Sequence, residues 1–155
     1  MKNNFENLID RNKYQVFVMI CPGSFPFSFA IHPWFVINKN GAISRFEVSH
    51  KKNQDEASQG HLNRNFLPPW QGLGIITFKS KPYHKAKLLA LIAGDENSAA
   101  RKMVDLIENS PGIYPYCDTY HFVGPNSNTY IQWVLNHFPE LKIELPRNCI
   151  GKNYV

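Results

Sequence analysis

Hydrophobic and polar positions divide the first half of the chain into strand-like runs. Residues 14–21, YQVFVMIC, are rich in β-branched and aromatic side chains and stop at Pro22-Gly23, which predicts a buried strand. A second run, FSFAIHPWFVIN at 27–38, is followed by Asn40-Gly41 and then by AISRFEVS at 42–49. Because Asn-Gly between two such runs is a strong hairpin signal, the pattern predicts an antiparallel hairpin.

Proline and polar residues set the limits of this predicted sheet. Pro33 lies inside the second run, and since proline cannot donate to a ladder, part of that run is predicted to be an edge or a bulge. Residues 49–65, SHKKNQDEASQGHLNRN, have no periodicity and predict a long loop. LGIITFK at 73–79 predicts a further strand, and HFV at 121–123 a short one.

Helical patterns dominate the second half. Residues 84–93, HKAKLLALIA, predict a helix. A second helix is predicted from an N-cap at Asp95 to about Asn109, since its apolar residues repeat at the spacing of one buried face. The last helix is predicted over 127–138. Strands first and helices later indicate an α+β domain, with an antiparallel sheet packed against a few helices.

Length, cysteine content and charge narrow the class of protein. The 155 residues predict a single domain, 1–155, with 1–13 as a flexible N-terminal segment. Three cysteines without CxxC spacing favour a reducing compartment, and no segment has the roughly 20 apolar residues that span a bilayer. We therefore expect a soluble, cytoplasmic protein. The net charge of +5 is compatible with nucleic acid, but FKSKPYHKAK at 78–87 matches no binding module and is interpreted as solvated surface, so nucleic acid is an unlikely partner.

The predicted hairpin places His32 and Glu47 on one face of the sheet. A two-residue turn pairs His32 with Ser49, and a four-residue loop pairs it with Glu47. Side chains alternate with period two, so both registers keep the imidazole and the carboxylate together. A carboxylate beside an imidazole fixes its tautomer and supports it as a base. The same spacing also fits a half-exposed pair on a solvent-facing sheet.

Four small polar side chains precede the last helix in FVGPNSNTYIQW at 122–133: Asn126, Ser127, Asn128 and Thr129. One cap is enough for a helix, so the surplus indicates an irregular entry turn or a site at the helix N-terminus. Backbone N–H groups near Ser127 would stabilise its alkoxide or an oxyanion, provided that a base lies within reach. Helix capping is the alternative explanation.

Other chemistry has weaker support in the sequence. The six histidines show no HExxH or HxH pairing and no glycine-rich phosphate loop is present, so we expect no metal and no cofactor. Cys117, beside Asp118, is an alternative nucleophile, although a free cysteine more often packs. Trp34 and Tyr116 belong to an aromatic set that either lines a substrate pocket or fills the core.

Four stretches carry a resemblance to a known family. They are HPWFVI at 32–37, YPY at 114–116, GPNSNTY at 124–130 and LPRNCIGKNYV at 145–155. They resemble a bacterial family known only as a domain of unknown function, whose members share an H-x-W strand, a YPY segment, a GPNSNTF block and an ending similar to LPPxAIGKDY. This chain departs from those motifs at Tyr130 and Asn153.

More distantly, the chain is similar to circularly permuted papain-like proteins, such as the NlpC-like and lecithin:retinol acyltransferase-like groups. In those, a histidine on an early strand precedes a nucleophilic cysteine that opens a later helix. The resemblance implies Ser127 in the position of the cysteine, His32 as base and Glu47 as the third polar group. Asn126 and Asn128 would supply hydrogen bonds to a substrate or an oxyanion.

Three functions follow as hypotheses. The first is a hydrolase or acyltransferase acting on an amide or ester, with a small-molecule, peptide or lipid substrate. The alternative is a non-catalytic binding module of the same fold. The third, a basic protein associated with nucleic acid, predicts strongly salt-dependent binding.

Overall fold

The computed structural model describes residues 4–52, 56–76 and 79–154, and only the backbone of 79–81. Two α-helices and seven strands form the described part, with short 3₁₀ turns at Phe5–Leu8 and Pro139–Leu141. The strands are β1 (Tyr14–Pro22), β2 (Ile31–Lys39), β3 (Ala42–Val48), β4 (Leu62–Arg64), β5 (Gly74–Ile76), β6 (Lys79–Tyr83) and β7 (Lys87–Gly94). The helices are α1 (Ala99–Ile113) and α2 (Ser127–Leu135). Within the described ranges, no helix has the length and apolarity to cross a membrane.

Five of the strands form one antiparallel sheet in the order β4-β3-β2-β1-β7, and β5 pairs with β6 in a separate two-stranded hairpin. The α+β prediction with an antiparallel sheet and helices is confirmed. The β2–β3 turn is the predicted two-residue turn, since Lys39 pairs with Ala42. Asn40 and Gly41 both have positive φ, 51° and 98°, as a type I′ turn requires.

Strand β2 has two partners over only part of its length. It pairs with β1 from Ile31 to Lys39, but with β3 only from Phe35 onward. Pro33 therefore lies where the ladder to β3 has ended, which confirms the expectation of a local edge. The first turn of α2 contacts this end of β2, where Asn128 donates to the Ile31 carbonyl.

The helices cover one face of the sheet. The predicted buried stripe of α1 is confirmed, and the apolar side of α2 packs beside it on β2. A smaller apolar cluster covers the other face, where the loop residues Trp70 and Leu73 and the N-terminal Phe5 pack against the strands. The helix-side residues include Val16, Val18, Phe35, Ile37, Met103, Ile107, Tyr130 and Val134; the others include Phe17, Met19, Trp34 and Val36.

Three predicted elements are wrong. Residues 84–93 do not form a helix: β7 pairs with β1 there, because the backbone groups of β1 need a partner and this tertiary pairing overrides helix propensity. The polar run 49–65 is not all loop, since β4 pairs with β3 and the side chain of Leu62 is fully buried. Residues 121–123 form a turn rather than a strand.

The helix boundaries also differ from the prediction. The N-cap of α1 is Ser98, whose side chain accepts from the Arg101 N–H, rather than Asp95. Pro111 lies inside the last turn of α1 instead of ending it earlier. Helix α2 ends at Leu135, before the predicted position 138.

Candidate functional site

Asn126 is the N-cap of α2. Its Oδ1 accepts from the backbone N–H groups of Asn128 at 2.9 Å and Thr129 at 3.3 Å. The Thr129 hydroxyl accepts from the Asn126 N–H at 3.0 Å, which completes a capping box. Ser127 is therefore not the residue that caps this helix.

The same block of side chains fastens the C-terminal segment to α2. Asn126 Nδ2 donates to the carbonyls of Phe122 at 2.7 Å and Ile150 at 3.0 Å, and the Thr129 hydroxyl donates to the Gly151 carbonyl at 2.8 Å. A Cβ at Gly151 would lie 2.6 Å from Asn126 Nδ2, and the φ there is +89°. The GPNSNT and IGK motifs thus contact each other, and together they attach the C-terminal segment to the start of α2.

Replacing Asn126 by alanine is expected to lower the free energy of unfolding by at least about 2 kcal/mol, because it removes the cap and leaves two carbonyls without their donor. Urea unfolding followed by circular dichroism measures this loss. The control is Asn136→Ala, which removes an exposed asparagine whose side chain only accepts from Gln132. Equal losses in the two variants would contradict the role of Asn126 in attaching the C-terminal segment to α2.

Asn128 connects α2 to the end of β2 that carries His32. Its Nδ2 donates to the carbonyls of Ile31 at 3.1 Å and Ile150 at 2.8 Å. Ile31 immediately precedes His32, so the first turn of α2 is in direct contact with this end of the strand. The Oδ1 of Asn128 is buried and has no hydrogen-bond partner among the described residues.

His32 and Glu47 are in direct contact, as the hairpin arithmetic predicted for their shared face. His32 Nε2 lies 3.0 Å from Glu47 Oε2, and the two residues are only 7% and 1% exposed. The half-exposed pair on a solvent-facing sheet is therefore wrong. The Trp34 ring is stacked near the imidazole, with 6.1 Å between ring centroids, as expected for residues two apart on one strand.

Arg45 is the member of this cluster that the sequence analysis missed. It is fully buried, and its guanidinium donates to Glu47 Oε2 at 2.8 Å and lies 4.4 Å from the centroid of the Trp34 ring. It also donates to the carbonyls of Pro68 and Gln71, so it ties the 68–71 loop to the sheet. The signal was present in the sequence, since Arg45 precedes Glu47 by two on a predicted strand.

The charge of Glu47 decides which nitrogen of His32 can act as a base. Burial alone would raise the pKa of Glu47, but the guanidinium of Arg45 and the hydrogen bond from His32 outweigh it, so the pKa lies below its usual value. A carboxylate accepts the proton of Nε2, which leaves the lone pair of the neutral imidazole on Nδ1. No described residue makes a hydrogen bond to that Nδ1.

Ser127 is the first residue of α2 and is 5% exposed. Neither its hydroxyl nor its backbone N–H makes a hydrogen bond to a residue that the structure describes. The hydroxyl is thus not hydrogen-bonded to His32, although the neighbours of the two residues, Asn128 and Ile31, are in contact. The structure therefore shows His32 bonded to Glu47, and Ser127 in the first turn of α2, next to the strand end that carries His32.

A family model described as a protein of unknown function, DUF3750, matches residues 13–154. The chain belongs to the DUF3750 family. This match confirms the expected membership in a family of unknown function. No curated protein matches the chain, and no solved structure matches it.

Two aromatic residues predicted to bind substrate lie apart in this DUF3750 chain. Trp34 is fully buried, and its indole N–H donates to the Pro69 carbonyl at 2.9 Å. Tyr116 packs edge-on between the rings of Tyr114 and Tyr154. Trp34 therefore has a packing role in the structure, and contact of either ring with a substrate stays a prediction.

Among the described residues, the cysteines do not form a second catalytic site, and no cluster of metal-ligand side chains is present. All three cysteines are buried and unbonded to one another, and burial raises the pKa of each thiol to about 11. A thiol with such a pKa is a poor nucleophile at neutral pH, which weakens the alternative at Cys117. In the described part of the chain, no three histidine, cysteine, aspartate or glutamate side chains cluster as metal ligands would.

Proposed function

We propose that this DUF3750 protein is an amide or ester hydrolase or acyltransferase with a circularly permuted papain-like arrangement, in which Ser127 is the nucleophile and His32 the base. The observation that carries the proposal is the buried contact between His32 Nε2 and Glu47 Oε2. It fixes the imidazole with Nδ1 free, at the end of β2 that the first turn of α2 contacts through Asn128.

In the proposed reaction, the Ser127 hydroxyl oxygen attacks the substrate carbonyl carbon while His32 Nδ1 takes the hydroxyl proton. Glu47 stabilises the imidazolium that forms. The free N–H of Ser127 and the N-terminal end of α2 stabilise the oxyanion. The imidazolium then protonates the leaving group, and water or an acceptor alcohol or amine releases the acyl group from the serine.

The reaction requires the Ser127 hydroxyl to come within about 2.6–3.2 Å of His32 Nδ1 when substrate binds. Catalytic hydrogen bonds often tighten only in the substrate complex. The side chain of Asn126 and the amide nitrogen of Asn128 already bond to the protein's own backbone. Of the polar groups expected to bind substrate at these two residues, the Oδ1 of Asn128 is therefore the one that we assign to the substrate. The buried, unpartnered Oδ1 of Asn128 accepts a hydrogen bond from a substrate N–H or O–H.

A fluorophosphonate probe tests the proposal without knowledge of the substrate. We expect it to label the protein at Ser127, with labelling lost in Ser127→Ala and reduced at least about tenfold in His32→Gln, since general-base catalysis contributes that much or more. Peptide mapping by mass spectrometry locates the label. Ser98→Ala is the matched control, because Ser98 also lies at a helix start but is committed to capping α1.

A non-catalytic binding module is the second candidate function. It is favoured by the three polar side chains at the start of α2 that bind the protein's own backbone, and by the unmade bond between Ser127 and His32. This candidate predicts no phosphonate labelling of the folded wild-type protein. Labelling at Ser127 that persists unchanged in His32→Gln would contradict the base assigned here.

A further inference from the structure

Four large apolar side chains form an exposed patch beside the start of α2. Phe27, Phe29, Phe122 and Val123, here the aromatic patch, are 46%, 62%, 40% and 70% exposed. The rings of Phe27 and Phe122 are 4.5 Å apart between centroids, and Phe29 lies 6.3 Å from each. Contiguous exposed aromatic surface in a folded domain marks an interaction site more often than isolated exposed residues do.

The backbone beneath the aromatic patch is ordered by hydrogen bonds. The Gly23 N–H donates to the Ala30 carbonyl at 2.8 Å, and the Ala30 N–H donates to the Phe27 carbonyl at 2.9 Å. The loop between β1 and β2 is therefore closed at its base, and its phenyl rings are held outward at its tip. Such a loop presents apolar side chains without the entropy cost of ordering them on binding.

The segments around the aromatic patch carry basic residues and no acidic ones in their sequence. Segments 22–30 and 121–125, which carry the patch, and strands β5 and β6 contain no aspartate or glutamate. The β5–β6 hairpin joins the loop through the Ser24 hydroxyl, which donates to the Gly74 carbonyl at 2.6 Å, and strand β6 carries Lys79 and Lys81.

The C-terminal segment contacts the loop next to an exposed arginine. The side chain of Asn148 donates to the Phe29 carbonyl at 3.1 Å, and the neighbouring Arg147 is exposed. The two segments that bond to the loop, β5–β6 and the C-terminal segment, thus both carry basic residues in their sequence.

We propose that the aromatic patch docks on the surface of an anionic lipid bilayer. Phenyl rings partition into the boundary between head groups and acyl chains, while nearby lysine and arginine are attracted by anionic lipid. A second copy of the chain is a poorer occupant, because a two-fold contact through the patch would bring the same basic segments of both copies together. Docking is independent of the chemistry proposed for Ser127.

Co-sedimentation with vesicles tests the proposal. The wild-type chain is expected to bind phosphatidylcholine vesicles containing about one-quarter phosphatidylserine, and to bind pure phosphatidylcholine at least about fivefold more weakly. The double substitution Phe27→Ser/Phe29→Ser should lower the partition coefficient at least about tenfold. Lys79→Glu/Lys81→Glu should remove most of the dependence on phosphatidylserine and on salt.

The control is Leu91→Ser/Ile113→Ser, which removes two exposed apolar side chains at 39% and 54% exposure outside the patch. It should bind vesicles as the wild type does. Absence of wild-type binding to the anionic vesicles would overturn the proposal, as would an equal loss in the control. So would sedimentation equilibrium showing a wild-type dimer that Phe27→Ser/Phe29→Ser converts to monomer, since the patch would then be a contact between copies.

Discussion

Replacing Glu47 by leucine is expected to lower the free energy of unfolding by about 3–5 kcal/mol. The reason is that Arg45, fully buried beneath the 68–71 loop, then keeps its charge without its carboxylate partner. Chemical denaturation at neutral pH measures the loss. Few other single substitutions in this chain should lower the free energy of unfolding as much, because removal of this carboxylate leaves a buried charge without its partner.

The double substitution Arg45→Met/Glu47→Leu is the control for that prediction. Two apolar side chains of similar volume replace the ion pair, so the double variant should recover most of the stability that Glu47→Leu loses. Additive losses in the double variant would contradict the interpretation that an unpaired Arg45 charge causes the defect. They would instead assign the loss to packing around Trp34.

The same pair predicts how stability depends on pH. The pKa of Glu47 in the folded protein lies below its ordinary value of 4.5, so the unfolded chain binds a proton more readily than the folded one. Its stabilising contribution is complete above about pH 4.5 and is lost as the pH falls through the lowered folded value. In Arg45→Met/Glu47→Leu, the acid-induced loss of stability below pH 4.5 should be smaller than in the wild type.

Replacing Ser127 by cysteine is expected to create a thiol that iodoacetamide alkylates at pH 6 at least about tenfold faster than an ordinary exposed cysteine. If Ser127 lies beside His32 as proposed, the imidazole and the N-terminal end of α2 both favour a thiolate at this position, and cysteines in such surroundings have pKa values of roughly 3.5–7.5. The native cysteines contribute little background, because burial raises the pKa of each to about 11.

The second variant separates the two causes. Ser127→Cys/His32→Gln keeps the helix terminus but lacks the imidazole, so the excess rate of Ser127→Cys over this double variant measures the proximity of His32. Equal rates would remove His32 from the proposed chemistry, whatever the absolute reactivity. The wild-type chain, alkylated under the same conditions, supplies the baseline for both measurements.

Local rules predicted part of the candidate site correctly. Period-two alternation placed His32 with Glu47, and Asn40-Gly41 gave the right turn, because hairpin register depends on a few neighbouring residues. The polar block at 126–129 correctly predicted the start of a helix. Its role as an anchor for Ile150 and Gly151 was not predictable, since that contact joins segments more than 20 residues apart.

The sequence by itself determined the α+β class, the β2–β3 hairpin, the buried stripe of α1 and the meeting of His32 with Glu47, because alternation and capping are local properties of the chain. Only the tertiary structure decided that residues 87–94 form a strand on β1, that Arg45 is buried against Glu47, and that the phenyl rings of 27–29 meet Phe122 at the surface. Each of these depends on backbone groups or side chains that find partners far along the sequence, and such pairing overrides local preference.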